Sequence, residues 1–154
     1  MTESQNNYSP NKFQKIFLTL FILLIIASIL FFKNSIFEST LKLRNFSNLS
    51  MDPDIAFSNG KPTYLEFYAE WCEICREMAP EVTELKKDFD SEMNFVFLNV
   101  DNPKWDKFVK QFKVNGIPQI NIIDSQSNLL ATLTGLQEGN TLKESIKYLI
   151  ARDN

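Results

Sequence analysis

Residues 16–32, IFLTLFILLIIASILFF, contain no charge, and Lys15 and Lys33 close the run on either side. A helix on the surface of a soluble domain needs a polar face, and this run has none. At about 1.5 Å per residue a helix of this length spans roughly 25 Å, just short of the ~30 Å hydrocarbon core of a bilayer. Flanking lysines can reach the interface and make up the difference. The run is therefore expected to form one N-terminal transmembrane anchor in contact with lipid. A cleaved signal peptide shares this layout, but no A-x-A-like pair of small residues follows the run, which favours an anchor that is kept. Lys12 and Lys15 precede it, and Lys33, Lys42 and Arg44 follow it, so the positive-inside count leaves the orientation open.

The anchor divides the rest of the chain. Residues 1–15 are polar, rich in Asn, Ser and Gln, and without apolar periodicity, as in a disordered tail. Residues 33–49 mix Asn, Ser and Lys with scattered apolar positions, which suits a linker, and residues 50–154 are long enough for one globular domain.

Within that domain the patterning alternates. A short helix is expected near residues 52–57, then a turn at Gly60-Lys61-Pro62 and a strand at TYLEFY, residues 63–68. Past Cys72 the apolar positions Cys75, Met78, Ala79, Val82, Leu85 and Phe89 recur at three and four, the spacing of one helix face, with Pro80 inside it. NFVFLNV, residues 94–100, is a second strand. Asp101 or Asn102 can cap a helix carrying Trp105, Phe108, Val109 and Phe112 on one side. Residues 119–123 and 129–134 form a hairpin pattern. Thr141 and Glu144 have capping-box spacing ahead of Leu142, Ile146, Leu149 and Ile150. The order βαβαββα describes an α/β domain with a mixed sheet and helices for both faces.

Composition narrows the chemistry. The 154 residues include no histidine, which removes Ser-His and Cys-His nucleophile pairs and imidazole bases. The net charge of −3 is spread without a basic stripe, so nucleic acid is not an expected partner. The two cysteines, Cys72 and Cys75, stand three positions apart, so they can pair with each other but cannot staple distant segments of the chain. A zinc site needs four ligands, and no third cysteine or histidine supplies them. A bridge across so short a loop constrains the unfolded chain little, which weakens a purely structural role.

The pair falls where the first strand ends and the long helix begins. Unpaired backbone N–H groups at a helix start stabilise a thiolate, so Cys72 is the expected nucleophile. Cys75, one turn on and on the apolar face, is shielded and placed to resolve a mixed disulfide. No cofactor and no metal are expected, since the dithiol carries the electrons itself.

The residues Glu66-Phe67-Tyr68-Ala69-Glu70-Trp71-Cys72 to Cys75, then Pro80, Gly116-Ile117-Pro118 and Gly135, resemble a thioredoxin domain over about residues 50–150. FYAEWCEICREMAPEV followed by NFVFLNVDNPKW is more narrowly similar to the membrane-anchored thioredoxin-like proteins of cyanobacteria and chloroplast thylakoids. The resemblance implies a thioredoxin fold, a mixed central sheet flanked by helices, behind one N-terminal transmembrane helix. It implies a thiol:disulfide oxidoreductase whose redox-active disulfide is Cys72–Cys75. By position, Pro118 matches the family's cis-proline, with Ile117 before it, and Glu66 matches its buried acid, which relays the proton of the resolving thiol. Trp71, Ile74 and Ile117 would line an apolar rim for a cysteine-bearing polypeptide, with Pro118 offering backbone to it.

The expected activity is protein-disulfide reduction on the lumenal or periplasmic side of a membrane. Apocytochromes would be among the substrates during cytochrome complex assembly, and a membrane thiol carrier would supply the electrons. The expected location is the thylakoid membrane with the domain facing the lumen, or the plasma membrane with it facing the periplasm. The chain also departs from the general family pattern. Glu73-Ile74 replaces Gly-Pro between the cysteines, and Phe97 stands where many relatives carry a lysine. An oxidase that donates disulfides is the alternative within the same chemistry, disfavoured because no histidine lies between the cysteines. A binding or chaperone module in which the cysteines are incidental is the alternative outside it.

Overall fold

The computed structural model describes residues 11–153, and they divide into a unit ending at Phe37 and a second running from Glu38 onward. Residues 1–10 of the expected tail lie outside the described residues, and Lys12–Lys15 are helical. The first unit is the leading part of α1 (Lys12–Leu49), a helix long and apolar enough to cross a membrane by length and composition. Its apolar side chains are exposed on every side, Phe17, Leu24 and Phe31 among them.

The linker expected over residues 33–49 is helix instead, and from Glu38 it belongs to the second unit. Leu43 and Phe46 have no exposed surface, and Leu49 packs partly buried against the same core. These three residues recur every third position, which puts them on one helix face. The polar residues between them conceal that face in the sequence.

The remaining elements follow the expected order. They are α2 (Pro53–Ala56), β1 (Thr63–Tyr68), α3 (Glu73–Phe89), β2 (Asn94–Asn99), α4 (Asp106–Gln111), β3 (Gln119–Ile123), β4 (Leu129–Thr134) and α5 (Gly139–Asp153). Asn102 caps a 3-10 turn at Pro103–Trp105 ahead of α4, its side chain accepting from the Lys104 N–H at 3.1 Å. The single helix expected there is thus two short pieces. α5 begins at Gly139, two residues before the expected Thr141 cap. Pro80 lies inside α3 without ending it.

The sheet order is β2-β1-β3-β4, with β1 parallel to β2 and antiparallel to β3, and β3 antiparallel to β4. A parallel neighbour requires a crossover, which α3 provides. Strand β1 is buried along its whole length, and its side chains alternate between two cores. Tyr64 and Tyr68 join the core built with the end of α1, α3 and α5, whereas Leu65 and Phe67 join the core beneath α2 and α4. Both faces are therefore covered, and the chain leaving β1 emerges at the middle of the sheet end.

Candidate active site

After Tyr68 the chain makes one turn, in which the Cys72 N–H donates to the Ala69 carbonyl at 3.1 Å, and then enters α3. Cys72 is the N-cap, extended at φ −72° and ψ 114°, and its Sγ accepts the Cys75 N–H at 3.1 Å. That is the polarity a sulfur anion needs, because the free N–H groups of a helix start favour negative charge. Cys72 and Cys75 are joined in a disulfide with Cα atoms 5.3 Å apart. Cys75 is completely buried and Cys72 retains 5% exposure, so of the two sulfur-bearing residues Cys72 is nearer the solvent. Arg76 donates to the Glu70 carbonyl at 2.8 Å and holds the turn from the helix side. Among the described residues no cluster of three metal-ligating side chains occurs.

Glu66 lies on the face of β1 that carries Tyr64 and Tyr68, the face on which Cys75 packs. It is fully buried; Oε2 accepts the Tyr64 hydroxyl at 2.8 Å, and Oε1 has no hydrogen-bond partner. Burial raises its pKa to about 7, and the Tyr64 hydrogen bond opposes that rise. The acid is thus poised near neutrality inside the core.

Pro118 is buried and follows a cis peptide bond from Ile117. Gln119 pairs with Phe67 in the β1–β3 register, which puts Pro118 at the end of β1 from which the cysteine turn leaves. Its carbonyl accepts the Gly135 N–H at 2.9 Å, and Gly135 adopts φ +83°, where a side chain would be strained. Trp71 is 66% exposed and Ile74 38%, while Ile117 is half-buried. The sequence-derived residues therefore gather at one sheet end, except Glu66, which lies within the sheet.

Two more residues belong to this end. Trp71 Nε1 donates to both carboxylate oxygens of Asp101, at 2.9 and 3.2 Å, which fixes the indole on the surface. The sequence marks Asp101 only as a possible helix cap; Asn102 takes that role and leaves Asp101 for Trp71. Leu136, 54% exposed, follows Gly135, whose N–H is bonded to the Pro118 carbonyl. Its place directly after a glycine of the family pattern is the signal that could have found it.

The thioredoxin family model matches residues 44–148. The thioredoxin-like protein HCF164, chloroplastic, of Arabidopsis thaliana is 36% identical over 127 residues, which are 82% of this chain and 49% of that protein. The thiol:disulfide interchange protein TxlA homolog of Synechocystis is 42% identical over 98 residues, 64% of this chain and 54% of its own. The chain thus spans about half the length of these curated relatives. Among solved structures, a mutant thioredoxin from Halobacterium salinarum shares the fold, with a TM-score of 0.54 at 23% identity over 62% of this chain and 80% of that one. The family match runs through the cysteine pair, the buried acid and the cis-proline over well more than half of the sequence, and the chain belongs to the thioredoxin family.

Proposed function

We propose that the chain is a membrane-anchored thiol:disulfide oxidoreductase that reduces protein disulfides through Cys72 and Cys75. The observation that carries this reading is the Cys75 N–H directed at Cys72 Sγ at the start of α3. In the reduced chain the Cys72 thiolate attacks a substrate disulfide. A bond to Cys72 forms as the substrate S–S bond breaks, and the departing sulfur takes a proton. Cys75 passes its proton toward Glu66 and attacks Cys72 Sγ, closing the Cys72–Cys75 disulfide and releasing the second substrate thiol. Two electrons have then moved to the substrate, and a thiol donor returns the chain to its reduced form.

Trp71, Ile74, Ile117 and Pro118 form the surface on which an extended substrate lies. The reducing direction is supported by Glu73, exposed in the first turn of α3, which offsets the positive helix end and makes the Cys72 thiolate less stable. The membrane attachment is supported by the apolar span of α1 and the lysines around it. One relative is named as chloroplastic and another as a thiol:disulfide interchange protein. These names support protein disulfides as the substrates. On the resemblance to the membrane-anchored thioredoxin-like proteins we assign the domain to the thylakoid lumen or the periplasm, place apocytochromes among its substrates, and take a membrane thiol carrier as its electron source.

Cys75→Ser expressed in membranes tests this reading, because a resolving-cysteine variant retains its substrates as mixed disulfides. Dithiothreitol-sensitive adducts that vanish in the Cys72→Ser, Cys75→Ser double variant are expected. Absence of adducts, with insulin-disulfide reduction by Cys72→Ser equal to that of the parent chain, would instead identify a binding module.

A further inference from the structure

Glu66 is enclosed by rings from three elements. Tyr64 and Tyr68 flank it on its own face of β1, and Phe97 is its cross-strand partner on β2. The last wall comes from α1: Phe46 stacks on Phe97 with centroids 4.2 Å apart, and stands edge-on to Tyr68 at 5.6 Å. None of the four rings is more than 2% exposed. The titratable groups on the same buried face as the carboxyl are Tyr64 and Tyr68 from β1 and, in the core packed on that face, the Cys72–Cys75 pair from α3. β2 presents Phe97, β3 presents Ile120 and Ile122, and α5 presents Ile146. The α1 segment presents Leu43 and Phe46, while its Arg44 pairs with the exposed Glu70 at 3.2 Å.

The walls differ in how they are held. Tyr64, Tyr68 and Phe97 are fixed by the backbone ladder between β1 and β2. Phe46 and Leu43 are held by side-chain packing on the sheet, and the chain just past the helix is tied to β2 by the Met51 N–H donating to the Phe95 carbonyl at 2.9 Å and the Phe97 N–H donating to Ser50 Oγ at 2.9 Å. The solvent-exposed Arg44–Glu70 pair contributes little. Residues 38–49 thus supply the wall that completes the burial of the acid. We propose that Phe46 is a positioning residue of the thiol chemistry: stacked on Phe97, it seals the enclosure around Glu66, so that the docked end of α1 sets how readily the acid takes up and releases a proton. The unpartnered Oε1 is the oxygen on which that proton exchanges. The inference rests on Glu66 serving Cys75 as proposed above.

The test uses the full chain in detergent with 13C-labelled glutamate carboxyls, the Glu66 signal assigned by its loss in Glu66→Gln. Its titration is compared in the parent, Phe46→Ala and Phe46→Leu, alongside the pH dependence of the Cys72–Cys75 reduction potential. Phe46→Leu keeps most of the apolar bulk and serves if Phe46→Ala does not fold. A downward shift of the Glu66 midpoint by roughly 1 pH unit in Phe46→Ala, smaller in Phe46→Leu, is expected as water reaches the carboxyl. The inflection in the potential should move the same way. An unmoved midpoint in a folded variant overturns the seal, and a moved midpoint with an unmoved potential overturns its link to the thiols. Failure of the oxidoreductase reading itself would show first in the parent chain, as the lack of any redox couple.

Discussion

The Tyr64 hydroxyl donates to Glu66 Oε2 at 2.8 Å within a fully buried stretch of β1, two residues along the same strand face. A buried carboxyl with an unpartnered second oxygen is costly to ionise, and this hydrogen bond is the contact that lowers the cost. Tyr64→Phe keeps the ring and removes the donor. The Glu66 carboxyl should then hold its proton to higher pH, and the chain should lose about 1–3 kcal/mol of stability above neutral pH. Urea unfolding at pH 8 and pH 5 checks this, with the larger loss expected at pH 8.

Glu66 itself makes stability depend on pH. Its folded-state pKa of about 7 lies above the ordinary 4.5, so the folded state binds its proton more tightly than the unfolded state does. Its contribution is fully favourable below about 4.5 and is lost as pH rises through about 7. A shift of this size corresponds to about 3 kcal/mol. In Glu66→Gln the decline between pH 5 and pH 9 should flatten by that order, and denaturation midpoints measured across the range report it.

The end of α1 is part of the domain, which bears on any soluble fragment. Residues 50–154 alone would expose the sheet face that Leu43 and Phe46 cover, whereas Glu38–Asn154 retains both. Phe46→Ala should cost about 3–5 kcal/mol, in the usual range for a buried phenylalanine. The 50–154 fragment should accordingly unfold at much lower urea than Glu38–Asn154, as circular dichroism can follow.

These residues also show what is legible in the sequence. The two strands of the parallel pair, the cysteine helix and the hairpin are readable because their apolar periods are strong and their boundaries carry turn residues. The cysteine turn is readable because the N-terminus of a helix directly after a strand dictates where Cys72 and Cys75 point. The helical face of Leu43, Phe46 and Leu49 is obscured by its polar neighbours and by the expectation of a tether after an anchor. Tyr64 and Asp101 are invisible as site residues because their roles depend on partners, Glu66 and Trp71, that a linear pattern does not connect.

Asp101 yields a prediction of its own. Its carboxylate receives the Trp71 indole N–H, and Trp71 is exposed and proposed above as part of the surface on which substrate lies. Asp101→Ala frees the indole without touching either cysteine. Reduction of a protein disulfide should show a several-fold higher KM with kcat and the reduction potential little changed, since the lost contact orders a docking residue. Steady-state kinetics with a protein substrate separate these quantities.

The central claim is that Cys72 and Cys75 form a reducing couple, and its most direct test is the reduction potential of the full chain in detergent. The chain would be equilibrated in dithiothreitol and glutathione buffers, with Cys72→Ser as the blank. A two-electron couple near or below the about −270 mV of thioredoxin is the expected result. A potential near about −120 mV, that of a strong disulfide donor, or no couple at all would contradict it.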